Sequence, residues 1–494
     1  MIGIDTAYCS DKYQYTMGKS FFENDMHHKI AVFNLFFRSA PDKNNWAVVC
    51  GVREVLQMIQ GLGSHDEAFV EECLPGEEFT EYRKFLSAMK FTGNVYAMKE
   101  GEIAFPQEPI ITIEAPLIEA QVLETPMLCI MNHQMAVATK ASRVTRSTEK
   151  PVSEFGSRRA HGPWAAIYGG KAAFIGGCVN SSNILTANMF GFQSSGTMAH
   201  SYTTSFGSTL QGEYKAFDSY IKTHKGEGLI LLIDTFDTLK AGLPNAIRAF
   251  KANGIDDNYT PSYGIRLDSG DLAYLSVKCR EKLDEAGLKQ CKIFATNSLD
   301  EYIIPELERQ GAAIDAYGVG DAIATSKHNP CFGNVYKLVQ IDETPVLKRS
   351  EDKVKLINPG FQITYRIIRN GSFLADVTCL RGDKCEQTIL SKETLTIRAQ
   401  FDETKVSKYD KGSYEYKALQ QMVMKNGEVI VEDSSIFEKR DYYKANLLGL
   451  NPTQRRLINP HYYKVDVSDD LYDLKMRILN EIVREIEETE KTNY

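Results

Sequence analysis

No apolar run in the sequence approaches the roughly 20 residues that a membrane-spanning helix needs. The opening MIGIDTAYCSDKYQYTMG has neither the basic n-region nor the apolar h-region of a secretory leader. Ten cysteines are scattered without a CxxC pair, which excludes a small disulfide scaffold and fits a reducing, cytoplasmic setting. The closest pair, Cys379 and Cys385, has no histidine at metal-ligand spacing, so no structural zinc site is expected there. Basic residues are in deficit: 57 Lys and Arg stand against 65 Asp and Glu, a net charge of −8. A nucleic-acid binder needs a basic face, so any anionic ligand must be held by a local site rather than by the overall field. What is present, 43% hydrophobic and 25% charged residues over 494 positions, excludes disorder and collagen and predicts two or three folded domains.

Residues 1–148 read as an α/β domain. Ile30 to Arg38 and Trp46 to Cys50 are short β-rich runs, Val52 to Leu62 has helical apolar spacing, and Glu119 to Lys140 is a long helical stretch that Pro126 is expected to kink or split. From 149 to 360 the texture changes. Short apolar runs recur and stop in small or polar residues before helix-like stretches, at Glu154-Phe155-Gly156, Gly176-Gly177-Cys178, Gly196-Thr197, Asp234, Arg266-Leu267-Asp268, Thr296-Asn297 and Tyr317-Gly318. Asp234, Asp268 and Asn297 follow one another at intervals of 34 and 29 residues, room for one strand, one helix and two loops. Seven or eight such units predict a (β/α) barrel with its site at the C-terminal ends of the strands, although an open doubly wound sheet has the same local signature. Residues 361–494 form a C-terminal extension, more charged and tyrosine-rich, strand-like at Phe361 to Ile368 and Glu386 to Leu390 and an amphipathic helix at Leu471 to Ile486.

Several strand ends carry candidate chemistry. His200 lies among small and hydroxylated residues in Gly196-Thr197-Met-Ala-His200-Ser, where an imidazole suits a nucleophile or a general base and equally suits a loop buttress. Asp234 and Asp268 terminate apolar runs, where a carboxylate binds a metal or sugar hydroxyls, or caps the next helix. Arg266 sits inside an apolar strand end, and a guanidinium there wants a carboxylate or phosphate to fork onto. Gly318 and Gly320 allow backbone N–H groups to approach a phosphate at a helix start. The residue three places on is Ile323, so a dinucleotide fingerprint is disfavoured, and Gly169-Gly170-Lys171-Ala172 lacks the Ser or Thr of a Walker A loop. Phe155 with Arg158 and Arg159, and Tyr13 near the N-terminus, suit a flat anionic heterocycle; the two arginines also fit surface ion pairs.

Tyr13-Gln-Tyr-Thr-Met, Glu154-Phe-Gly-Ser-Arg-Arg, Gly196-Thr-Met-Ala-His-Ser, Ile233-Asp-Thr-Phe-Asp-Thr, Ile265-Arg-Leu-Asp-Ser-Gly-Asp and Tyr317-Gly-Val-Gly occur in an order that resembles the nicotinate phosphoribosyltransferase family, over about residues 5 to 365. The resemblance implies an N-terminal α/β domain, an irregular (β/α) barrel and a homodimer with a shared active site. It also implies an enzyme of NAD biosynthesis that joins nicotinate to phosphoribosyl pyrophosphate (PRPP) with coupled ATP hydrolysis and Mg²⁺. By position, His200 matches the histidine that ATP phosphorylates. Thr197, Phe155 and Tyr13, the last from the partner subunit, match contacts to nicotinate. Arg158 and Arg266 match cations for the base carboxylate or phosphates, Asp234 and Asp268 match acids that position ribose or Mg²⁺, and Gly318 and Gly320 match the 5′-phosphate cradle. One loop departs from the pattern: where related enzymes often read Phe-Asp-Gly-Thr-Ser-Asn, this chain has Cys178-Val-Asn-Ser-Ser182-Asn183. Ser182 stands where the nicotinamide-specific relative has an Asp, which points to nicotinate. That relative, and a non-catalytic barrel that binds a nucleotide as a regulator, are the competing expectations.

Overall fold

The run at Ile30 to Arg38 forms a strand over Ile30–Phe37, buried along all but its first residue, in a computed structural model that describes residues 8–63, 65–349, 356–400, 402 and 404–492. A strand buried on both faces needs its polar groups paired, and its one polar side chain, Asn34, accepts from Thr112 Oγ1 at 2.7 Å. This strand lies third in a seven-stranded antiparallel sheet ordered Thr344–Pro345, Asn334–Ile341, Ile30–Phe37, Ile111–Pro116, Asn94–Met98, Gln420–Lys425, Glu428–Val429. The run Trp46 to Cys50 yields only Ala47–Val48, paired with Ile103–Ala104, because Gly51 at φ 106° turns the chain into the helix Val52–Gln60. The long helical stretch divides before its proline, into Leu117–Gln121 and Glu124–Thr145. Pro126 thus falls in the first turn, where no intrahelical N–H bond is lost.

Met1–Ala136 and Cys331–Tyr494 together make one compact unit, and Val137–Pro330 makes a second. The sequence texture puts its boundaries at 148/149 and 360/361, later than these at each break. Asn334–Ile341 lies in the segment read as barrel, yet it pairs antiparallel with Ile30–Phe37. The extension builds a six-stranded sheet ordered Val406–Tyr409, Leu395–Ala399, Val465–Val467, Ser372–Leu380, Gln362–Arg369, Glu415–Ala418, with a core around Ile367, Val377 and Ile397. Glu386 to Leu390, read as strand-like, belongs instead to the helix Lys384–Leu390. Asp383 starts it by accepting from Glu386 N at 2.7 Å. The amphipathic stretch at Leu471 to Ile486 lies inside the helix Asp469–Thr492.

In the second unit Leu229–Leu232, Tyr263–Leu267, Lys292–Ala295, Ala316–Val319 and Val152–Glu154 form a parallel sheet in that order. Single-residue parallel bridges from Glu154 to Ser181 and from Ser181 to Ser194 continue it. Ser153, Ile230, Arg266, Phe294 and Tyr317 from these strands line one internal cavity of about 30 Å³ with Ser195 and Thr197, so the sheet curls on itself as an irregular (β/α) barrel does. Gly176-Gly177-Cys178 is not a strand end: the helix Pro163–Ile175 stops there, and a Cβ on Gly176 would lie 2.4 Å from Ala138 O. Lys140 Nζ and Arg143 Nε reach Glu301 Oε1 at 2.9 and 3.0 Å, all buried. This ion cluster fixes the loop that follows Lys292–Ala295 and carries Thr296, Asn297 and Ser298. Among the described residues no helix is long and apolar enough to cross a membrane.

Candidate active site

Each barrel strand ends in the polar residues that the sequence singles out. Phe155, Arg158, Ser182, Thr197, His200, Arg266, Asp268, Gly318 and Gly320 line one cavity of about 550 Å³. Helix capping, the alternative use for the two acids, falls to neighbours: Asp271 caps Leu272–Glu285 by accepting from Tyr274 N at 3.0 Å, and Asp237 caps the turn that begins at Thr238. Asp234 and Asp268 are therefore available for other work.

Asp234 does not line the cavity; it supports a residue that does. Its side chain is 1% exposed, and its Oδ1 lies 3.0 Å from His200 Nε2. The other oxygen accepts from Asp268 N at 3.1 Å and from Ser269 Oγ at 2.6 Å. A carboxylate facing a backbone N–H and a hydroxyl is an acceptor, so the imidazole nitrogen beside it donates to it, and in the neutral ring that tautomer leaves the lone pair on Nδ1. The histidine of the Gly196-to-Ser201 motif thus has an orienting acid 34 residues away.

Arg266 donates from Nη2 to Met198 O at 2.8 Å, makes no ion pair among the described residues, and leaves its buried Nε without a partner. Burial pulls the guanidinium below its ordinary range, Asp268 and Asp234 oppose that, and Arg158 adds to it. A cation so placed is ready for an anionic ligand. Thr197 Oγ1 is likewise buried and unpartnered. Asp268 accepts at Oδ1 from Thr296. Gly318 has a second reason to be glycine: a Cβ there would stand 2.8 Å from the Phe155 ring and 2.7 Å from Thr296. The helix after Gly320 spans only Asp321–Ala324, too short to add much of a helix dipole to those backbone N–H groups.

The cavity also contains residues to which the family resemblance matched no role. Arg159 and Asp321 line it, and so do Asn297 and Ser298, held at left-handed φ of 84° and 52°. Adjacent non-glycine residues in that region mark stored strain, which a linear sequence does not display. Tyr13 lies in the first unit, on the helix Lys12–Glu23, is 49% exposed, and donates to Glu124 Oε2 at 3.4 Å; it is not among the cavity's residues.

Across 97% of its length the chain is 38% identical to a nicotinate phosphoribosyltransferase of Bacillus subtilis, of which it covers 96%. The chain belongs to the nicotinate phosphoribosyltransferase family. Models of that family's N-terminal and C-terminal domains match residues 9–132 and 361–475. A nicotinate phosphoribosyltransferase of Dictyostelium discoideum is 31% identical over 95% of this chain and 88% of its own. The crystal structure of human nicotinic acid phosphoribosyltransferase superposes with a TM-score of 0.82 at 25% identity, covering 95% of this chain and 99% of that one. Within this family fold, the loop that departs from the usual motif keeps a structural use. Asn183 caps the helix Ile184–Phe190 through Thr186 N at 3.0 Å and donates to Ser157 Oγ at 3.2 Å, while Ser182 presents an uncharged side chain to the cavity.

Proposed function

We propose that this cavity joins the ring nitrogen of nicotinate to C1′ of PRPP, releasing pyrophosphate, and that ATP hydrolysis is coupled to the reaction through phosphorylation of His200. The observation that carries the reading is the gathering of an unpaired, half-buried arginine, an acid-oriented histidine and an aromatic ring in one cavity. Nicotinate, PRPP and ATP are all anionic, and Arg266, Arg158 and Arg159 supply the cations that the −8 balance of the whole chain does not. Phe155 offers a face to the pyridine ring, Thr197 Oγ1 an unpartnered hydroxyl, and Gly318 and Gly320 backbone without side chains toward the 5′-phosphate. Glycosyl transfer proceeds through an oxocarbenium-like state, so carboxylates near the sugar and cations on the leaving group both lower the barrier.

His200 attacks the γ-phosphate of ATP through Nδ1, ADP leaves, and water later returns the imidazole and inorganic phosphate. The phosphohistidine sets about two negative charges beside the PRPP site. The donor set fits Mg²⁺, a hard cation usually held by one or two carboxylates with substrate phosphates. Asp268 and Asp321 line the cavity, whereas both oxygens of Asp234 are engaged. Mg²⁺ would supply charge neutralisation on the phosphates. Two compact groups of potential metal ligands among the described residues, Asp25-His27-His28 and Cys379-Asp383-Cys385, include neither site acid. The exposed ring of Tyr13 supports a homodimer in which a partner completes the site, and ten cysteines all free of disulfides support a cytoplasmic location.

Steady-state assays with nicotinate and nicotinamide test the base. An uncharged Ser182 with Arg266 nearby favours the carboxylate, so nicotinate is the expected substrate, and a preference for nicotinamide would overturn the reading. Arg266→Ala should raise the KM for PRPP or nicotinate more than about tenfold, a loss of at least about 1.4 kcal/mol. An unchanged KM for both would make Arg266 a structural residue that holds Met198.

A further inference from the structure

Glu154 ends the strand Val152–Glu154, is 2% exposed, and has no part in the reaction as described above. Its carboxylate joins two loops. Oε1 accepts the Gly156 N–H, and Oε2 accepts the Ser181 hydroxyl at 2.5 Å; Ser181 Oγ in turn accepts the Asn183 N–H at 3.1 Å. The main chain repeats the connection, with Glu154 N on Asn180 O, Ser182 N on Glu154 O and Ser195 N on Ser181 O, each at 2.9 Å. Cavity residues flank these joints directly: Phe155 follows Glu154, Ser182 follows Ser181, and Thr197 lies two positions beyond Ser195. A Cβ on Gly156 would lie 2.6 Å from Gly320 O, so the first loop has no slack on its other side.

The hydrogen bonds run in one direction, from Asn183 N–H to Ser181 and from Ser181 O–H to Glu154, and they require a group that accepts from two donors at once. Burial pushes the Glu154 carboxyl above its ordinary range, while the bonds from Ser181 and Gly156 draw it down. An amide keeps one acceptor and turns its NH₂ onto the other donor.

We propose that Glu154 is a positioning residue of the base pocket: by accepting from Gly156 and Ser181 together, its carboxyl sets the placement of Phe155 relative to Ser182, and so the affinity for the base, without touching substrate. The proposal rests on the nicotinate reading of the cavity. Glu154→Gln is expected to raise the KM for nicotinate about tenfold, with kcat and the KM for PRPP within about twofold of wild type. Ser181→Ala should show the same split at about threefold, and the double variant should be no worse than Glu154→Gln alone, since both remove one linkage. Ser181→Ala carries the test if Glu154→Gln does not fold. A fall in kcat with an unaltered KM for nicotinate would overturn the proposal.

Amide hydrogen exchange gives a readout independent of the base. In either variant, exchange over residues 155–159 and 181–183 should be at least about tenfold faster than in wild type. Unaltered exchange there overturns the positioning role even if wild type turns over no nicotinate. Faster exchange in the variants combined with an inactive wild type would instead sink the nicotinate reading alone.

Discussion

Arg366→Leu is expected to destabilise the first unit by about 3–5 kcal/mol, the cost of breaking a buried ion pair from one side. The Arg366 side chain has no exposure and donates from Nε and Nη2 to Asp376 at 2.9 and 2.6 Å, from Nη1 to Glu102 Oε1 at 2.6 Å, and from Nη2 to Ile103 O at 2.7 Å. Lys417 reaches the second Glu102 oxygen at 2.8 Å, and Tyr463 donates to Asp376 at 2.8 Å. Leucine would leave two buried carboxylates short of their shared cation. It would also cut the link between the six-stranded sheet, which holds Arg366 and Asp376, and the strand Ile103–Ala104. Arg366→Lys should recover only part of the loss, because an ammonium cannot fork onto two acids.

The pH dependence follows from Glu102. Burial alone would raise its carboxyl, but Arg366 and Lys417 outweigh burial and hold it below the ordinary range. Its contribution is therefore present above the ordinary carboxylate pKa and is lost as pH falls through the depressed value. The deficit of Arg366→Leu should narrow in acid. Urea unfolding at pH 7 and pH 4 measures both effects, and a loss under about 1 kcal/mol at pH 7 would make the cluster energetically neutral.

His200→Ala is expected to remove ATP hydrolysis, by at least about a thousandfold, together with the ATP-driven gain in PRPP affinity, while weak ATP-independent synthesis survives. The two effects separate because the base nitrogen is itself a nucleophile and needs no help from the imidazole to attack C1′. Asp234→Asn should reduce the ATPase without abolishing it, since it disturbs the tautomer and orientation of His200 but not the attacking atom. In wild type, ³¹P NMR of the phosphorylated enzyme should show the phosphate on Nδ1. Unchanged ATPase activity in His200→Ala would remove the histidine from the mechanism, and ligand binding with no turnover in wild type would favour the non-catalytic alternative.

Much of the site was legible in order along the chain. Arg266 and Asp268 could be read because they interrupt an apolar run, and an ionisable group in such a run is costly unless it has a purpose. The strand pitch was legible for the same local reason. The partner of His200 was not. Asp234, Asp237, Asp268 and Asp271 are equivalent as symbols, and each is a competent helix cap. Glu154, Asn297 and Ser298 escaped because their significance lies in bonds across loops and in left-handed backbone, neither of which has a local pattern.

Local spacing and side-chain chemistry by themselves determined the alternating strand and helix pattern and the types of polar residue gathered at the strand ends. These depend on neighbours within a few positions, and each polar residue at a strand end is anomalous on its own. Only the tertiary structure decided which acid orients His200 and which cap helices, that Gln420–Lys425 pairs with Asn94–Met98, and that Glu386 to Leu390 coils rather than extends. Those choices turn on pairings between segments up to hundreds of residues apart, where a carboxylate or a short amphipathic run is satisfied equally well by several partners until packing leaves one.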